Sequence, residues 1–156
     1  MDREALIGEL TRDEGQKLFV YDDATGLPLK PGMVCEGWPT IGIGRNLAGR
    51  GITAIEARLL VNDDIDAVLT ELESAFPWFS RLDDVRQRVL VNMGFAGVAT
   101  LKGFHDMLGC IADGDYAGAA DALLDSAYAR QVGARAVRLA QMMRSGQGHS
   151  IDRFEK

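Results

Sequence analysis

Hydrophobic positions recur at helical spacing along most of this chain and change rhythm in one early stretch. Leu6, Ile7 and Leu10 predict a short amphipathic helix over residues 3–12, ending near Thr11 to Gly15 and leaving Glu14 just past its end. From Lys17 to Gly44 the helical pattern lapses. Leu18-Phe19-Val20-Tyr21 and Thr40-Ile41-Gly42-Ile43 read as short strands, separated by a segment that holds three of the four prolines. Glycines alternating through Ile41-Gly42-Ile43-Gly44 weaken a strand unless something approaches its backbone closely, so this stretch points to a cleft wall.

Thr53-Ala54-Ile55-Glu56 fits a capping box and opens a long helix through about Ala75, with Val61, Ile65, Val68 and Leu72 forming one apolar stripe. Pro77 stops it. Four further helices are predicted over about 83–95, 101–112, 115–126 and 129–145, with Asp115 as an N-cap and Gly146 as a C-terminal stop. The predicted class is α+β, dominated by helix, with the long helix suited to bridging two lobes.

Composition narrows the setting. A chain of 156 residues, 47% apolar and 26% charged, builds an ordinary hydrophobic core and is neither repetitive nor disordered. No run is long and apolar enough for a signal-peptide core or a bilayer span, so the protein is expected to accumulate where it is made. Cys35 and Cys110 are expected as two free thiols. His105 and His149 lack partners at metal-ligand spacing, so neither metal nor cofactor is expected.

The net charge of −6 argues against general nucleic-acid binding, which requires a basic face. Charge is unevenly distributed. Residues 1–126 carry 11 basic and 21 acidic side chains, net −10, whereas residues 127–156 carry 6 and 2, net +4. The basic segment, with Arg130, Arg135, Arg138 and Arg144, is suited to meeting N-terminal carboxylates or an anionic substrate; a solvated helix face explains the pattern equally well.

Two elements of the small β-rich region carry carboxyl groups: Asp13-Glu14-Gly15, and the strand end Asp22-Asp23. Glycoside hydrolysis needs such a pair, one acid to protonate the departing oxygen and one base to direct water or attack the sugar. By spacing alone, an Asp-Asp before Ala-Thr-Gly is more often a turn.

The residues Leu10-Thr11-Arg12-Asp13-Glu14-Gly15, Leu18, Tyr21-Asp22-Asp23, Gly26 and Trp38-Pro39-Thr40-Ile41-Gly42-Ile43-Gly44 resemble the signature of the T-even phage lysozyme family, glycoside hydrolase family 24. Eight residues separate Glu14 from Asp23, as in that family, and Thr40 heads the glycine-rich strand. The likeness continues through Leu82-Asp83-Asp84-Val85-Arg86, Val91-Asn92-Met93, Phe95 and Phe104 to Ser126-Ala127-Tyr128, Gln131 and Arg135-Ala136-Val137-Arg138. Two departures stand out. Sixteen residues separate Asp23 from Thr40, making Leu27–Trp38 an insertion of about a dozen residues, and Arg45 stands where the family often has His.

The resemblance implies a lysozyme-like single domain: a β-rich lobe over 13–52, a linking helix over 53–75, and a helical lobe from 1–12 plus 76–156. It also implies a muramidase that hydrolyses the β-1,4 bond between N-acetylmuramic acid and N-acetylglucosamine in peptidoglycan. Glu14 would be the general acid, with Asp23 and Thr40 holding the attacking water. Inversion would follow, with carboxyl groups about 6.5–9.5 Å apart. Arg135 would orient Glu14; Tyr21, Phe95, Asn92 and Arg45 are candidates for binding or bracing, with Asn92 expected to be buried. The implied setting is a monomeric phage or prophage endolysin, held in the host cytoplasm until a separate holin-like pore admits it to the wall. The insertion would form a lid or wall at one end of the cleft. Two other readings remain open: a lytic transglycosylase, which makes an anhydro sugar without water, and a non-catalytic wall-binding or virion structural module.

Overall fold

The computed structural model describes residues 1–148; His149 lies outside them. In chain order it contains α1 (Arg3–Glu14), β1 (Lys17–Asp22), β2 (Pro39–Gly42), β3 (Arg45–Asn46), α2 (Leu47–Arg50) and α3 (Ala54–Ala75). After a 3-10 turn at Phe79–Arg81 follow α4 (Asp84–Gly94), α5 (Val98–Leu101), α6 (His105–Ala112), α7 (Tyr116–Asp125), α8 (Ala127–Val132) and α9 (Ala134–Ser145). The class is α+β. The chain divides into two compact units, Met1–Leu59 and a second beginning at Leu60.

In the first unit, α1 is held by its ends. The Asp2 side chain accepts from the Ala5 N–H, and the Gly15 N–H closes the last turn onto the Thr11 carbonyl. None of its residues is buried, so its apolar positions form no core stripe of their own. Glu14 is the last helical residue and not the first beyond it. The sheet is antiparallel in the order β1-β2-β3, with Tyr21 opposite Thr40, Asp22 opposite Pro39, and Thr40 opposite Asn46. The start of the insertion lies along β1: Leu29 N–H donates to the Val20 carbonyl and Asp22 N–H to that of Leu27.

The expected capping box opens α3. Thr53 N–H donates to Glu56 Oε2 (2.7 Å), and Glu56 N–H donates to Thr53 Oγ1 (3.2 Å). Its apolar stripe has two fates: Leu72 is wholly buried and Val68 packs on the core, while Val61 and Ile65 line a cavity of the second unit.

The second unit holds the main core, in which α7 packs on α6 and α9, and α4 packs on α5 and α9. Phe79, Leu90, Leu101, Met107, Leu123 and Met143 are its large, fully buried members. Asp115 caps α7 and Gly146 ends α9 in the left-handed conformation, both as predicted. Two predicted helices are broken. The 101–112 segment divides at Lys102–Phe104, and the 129–145 segment divides at Gly133, whose φ of 55° interrupts the helix between α8 and α9. Basic side chains of the C-terminal segment find partners inside this unit: Arg144 pairs with Asp121, and Arg130 donates to the Asp125 carbonyl.

Leu123 and Leu124 are neighbours with opposite surroundings, one wholly buried and one exposed. Leu123→Ala is expected to cost about 2–5 kcal/mol, through lost burial and the cavity left behind. Leu124→Ala should cost clearly less. Urea unfolding followed by helical circular dichroism compares the two, and equal losses would contradict this packing.

Candidate active site

The insertion returns to the sheet through Asp22. This side chain is only 3% exposed, and its carboxylate accepts three backbone N–H groups: Ala24 (2.9 Å) and Gly37 (3.0 Å) on Oδ1, and Glu36 (2.7 Å) on Oδ2. A buried carboxylate is tolerated when donors replace its lost water. The Glu36 N–H, with help from those of Ala24, Gly37 and Thr25, holds Asp22 below its ordinary value of 3.8 against the opposing effect of burial. Gly37 has no room for a side chain, since a Cβ there would overlap Asp23 Oδ1 and Ala24.

That return brings the two ends of the sixteen-residue gap together on Trp38. Asp23 N–H donates to the Trp38 carbonyl (3.1 Å), and Trp38 N–H donates to Asp23 Oδ1 (2.6 Å). The Thr40 hydroxyl donates to the same Trp38 carbonyl at 3.1 Å. Asp23 and Thr40 therefore share one acceptor. They differ in access: Asp23 is exposed, with no hydrogen bond at its second carboxylate oxygen among the described residues, whereas Thr40 is 3% exposed. With its proton on Trp38, Thr40 offers only lone pairs to a further partner.

Glu14 lies at the end of α1 against the β2–β3 turn. Its Oε2 would be 3.7 Å from a Cβ at Gly44, whose φ is 71°. That is ordinary contact distance, and Gly42 has open space at the same point, so the two glycines answer to their positive φ values and not to a close approach. Glu14 is exposed and has no hydrogen-bond partner among the described residues.

Arg45 is fully engaged. Nε donates to the Gly51 carbonyl (2.8 Å), while Nη1 and Nη2 form a bidentate pair with Glu56 at 2.9 and 2.8 Å. These contacts account for Arg45 as a tie between β3 and the start of α3, without a ligand. Glu56 is lowered to about 2 by the Thr53 N–H first, then the Thr53 hydroxyl and Arg45. Tyr21 is also a structural residue: it is 9% exposed, with Lys17 Nζ 4.0 Å from its ring centroid and bonded onward to the Gly26 carbonyl. Cys35 and Cys110 are free thiols. Burial, with the charges of Asp22 and Asp23, raises Cys35 and keeps it protonated.

In the second unit, Phe95, Asn92 and Arg135 meet at a cavity of about 650 Å³ whose walls include Val61, Ile65 and Val91. Phe95 is 44% exposed and stands outside the core. Asn92 is exposed, contrary to the expected burial, because Val89, Leu90 and Met93 take the inward face of α4. Arg135 Nε donates to Asn92 Oδ1 (3.0 Å), and Nη2 donates to the Asn92 carbonyl (2.8 Å). Among the described residues, no group of three His, Cys, Asp or Glu side chains is placed to hold a metal ion, and no helix is long and apolar enough to cross a membrane.

Sequence reasoning missed Asp22 and the exposed Trp38. The doubled aspartate before a long insertion was the available signal for the first, and the Trp-Pro entry into β2 for the second.

No family model matches the chain. It is 30% identical over 166 residues to the pre-baseplate central spike protein Gp5 of Enterobacteria phage T4. The match takes in 88% of this chain and 27% of that protein, so the chain spans about a quarter of its relative's length.

Because Asp22 is depressed in the folded chain, its stabilising contribution is present above the ordinary value of 3.8 and is lost as pH falls through the folded value. Asp22→Asn, which turns an amide NH2 toward backbone donors, should destabilise the first unit at pH 7. The deficit should narrow below about pH 4. Thermal unfolding of both proteins at pH 7 and pH 3 measures this, and a deficit independent of pH would contradict the assignment.

Proposed function

We propose that the chain is a peptidoglycan muramidase that hydrolyses the β-1,4 bond between N-acetylmuramic acid and N-acetylglucosamine. The observation that carries this reading is the convergence of Asp23 and Thr40 on the Trp38 carbonyl across a sixteen-residue gap. The register that pairs Asp22 with Pro39 carries on one step to bring Asp23 against Trp38, two residues before Thr40 in sequence.

In this mechanism Glu14 delivers a proton to the bridging oxygen as the bond opens through an oxocarbenium-like state. Asp23, fixed by Trp38 N–H on one oxygen, uses its other oxygen to take a proton from the attacking water. Thr40 contributes by fixing the Trp38 carbonyl, and through its lone pairs. The cavity at Phe95, rimmed by Arg135 and Asn92, is suited by its apolar wall and polar edge to a sugar ring.

The likeness to a baseplate central spike protein supports a phage setting and favours a second reading, a non-catalytic wall-binding or virion structural module. Activity separates the two. Purified peptidoglycan should lose turbidity with the parent protein, and Glu14→Gln should reduce the rate by about 10²–10⁴-fold while preserving the fold. Equal clearing by both proteins would defeat the acid assignment, and a folded parent that clears nothing would favour the non-catalytic module.

A further inference from the structure

We propose that the indole of Trp38 is a saccharide-stacking platform that sets affinity for the glycan strand beside Asp23; this rests on the muramidase reading and extends it to a binding residue. Both backbone polar groups of Trp38 are engaged by residues of the candidate site: its N–H by Asp23, and its carbonyl by Asp23 and Thr40. Gly37 on one side is pressed against Asp23 and Ala24, and Pro39 on the other has its φ fixed by its ring. The main chain at Trp38 is therefore held before any ligand arrives.

Its side chain is left in water. Trp38 is 57% exposed, although both of its backbone polar groups are hydrogen-bonded. With its backbone already anchored, the residue has only its side-chain rotamers left to order on binding. A pyranose presents a face of axial C–H bonds, which loses unfavourable contact with water when laid against an aromatic surface. The sugar's hydroxyl edge is then free to meet the neighbouring carboxylate.

Competing aromatics are less suited. Tyr21 is buried with Lys17 over its ring. Phe19 is exposed, but its place in β1 is four residues before Asp23, whereas Trp38 is hydrogen-bonded to that residue directly.

The chain contains two tryptophans, and the other, Trp78, stacks on Phe76 at 5.1 Å against the second unit's core. Trp78→Phe therefore leaves Trp38 as the reporter, and Glu14→Gln in the same protein keeps the glycan intact. Titration with an N-acetylglucosamine hexamer should change the emission saturably and protect the indole from acrylamide quenching. In the otherwise unaltered enzyme, Trp38→Ala should raise KM for soluble peptidoglycan by about tenfold, with a smaller effect on kcat. Trp38→Phe should recover much of that loss.

A parent that cleaves peptidoglycan, with unresponsive Trp38 emission and a Trp38→Ala KM within twofold of the parent's, would overturn the platform alone. A parent that never cleaves but whose Trp38 emission responds to the hexamer would overturn the hydrolase reading and retain the platform. Neither cleavage nor response would overturn both.

Discussion

A single buried carboxylate organises the small unit of this protein. Asp22 draws three amide groups from Ala24, Glu36 and Gly37 onto its two oxygens, closing the Leu27–Trp38 excursion back on the strand that launched it. Hydrogen bonds of this kind are charge-assisted and stronger than neutral ones, and here no cation takes part in them. Fixing residues 36 and 37 fixes where residue 38 emerges. From Trp38 the order passes to Asp23 by a reciprocal pair of bonds, and to Thr40 by the hydroxyl on the shared carbonyl. The pairing of Asp22 with Pro39 and Tyr21 with Thr40 then sets the β1–β2 register.

The doubled aspartate thus divides its work by burial. Asp22 faces inward and is saturated with backbone donors, whereas Asp23 is exposed and keeps one oxygen unbonded among the described residues. A comparable division exists at the other end of the sheet. Glu56 closes the capping box of α3 and also receives the Arg45 fork, while Glu14 rests against Gly44 one residue before that arginine. Asp23 and Glu14 are exposed, whereas Asp22 and Glu56 are anchored by backbone donors.

Much of the helical architecture was legible because its signals are local. The Thr53–Glu56 box, the Asp115 cap and the Gly146 stop each act within one turn of helix, and the structure contains all three. The breaks at Lys102–Phe104 and Gly133 were not legible, because apolar periodicity continues across a short interruption that only backbone conformation reveals. The same blindness to distance hid the role of Asp22. In sequence it looks like half of a turn, and its partners lie up to fifteen residues away. Asn92 shows the opposite error: apolar neighbours suggested burial, but a helix face is narrow enough for position 92 to point outward while 93 points in. Glu14, Asp23 and Thr40 were legible as residue types at motif spacing; how Asp23 and Thr40 both come to bond Trp38 depended on how the insertion closes.

The anchored carboxylates also constrain the chemistry that can be assigned. Asp22 and Glu56 are both held in their ionised form, by the Glu36 N–H foremost in one case and the Thr53 N–H in the other. A group stabilised as an anion by backbone donors is poorly suited to hand over a proton at neutral pH, because protonation would leave those donors facing a neutral acid. Asp23 accepts the Trp38 N–H on one oxygen at 2.6 Å. Glu14 accepts no hydrogen bond among the described residues, and its carboxyl group lies beside Gly44. For the proposed acid-assisted cleavage with water attack, Asp22 and Glu56 are therefore set aside as proton donors, which leaves the exposed Glu14 and Asp23 as the carboxyl groups open to a ligand.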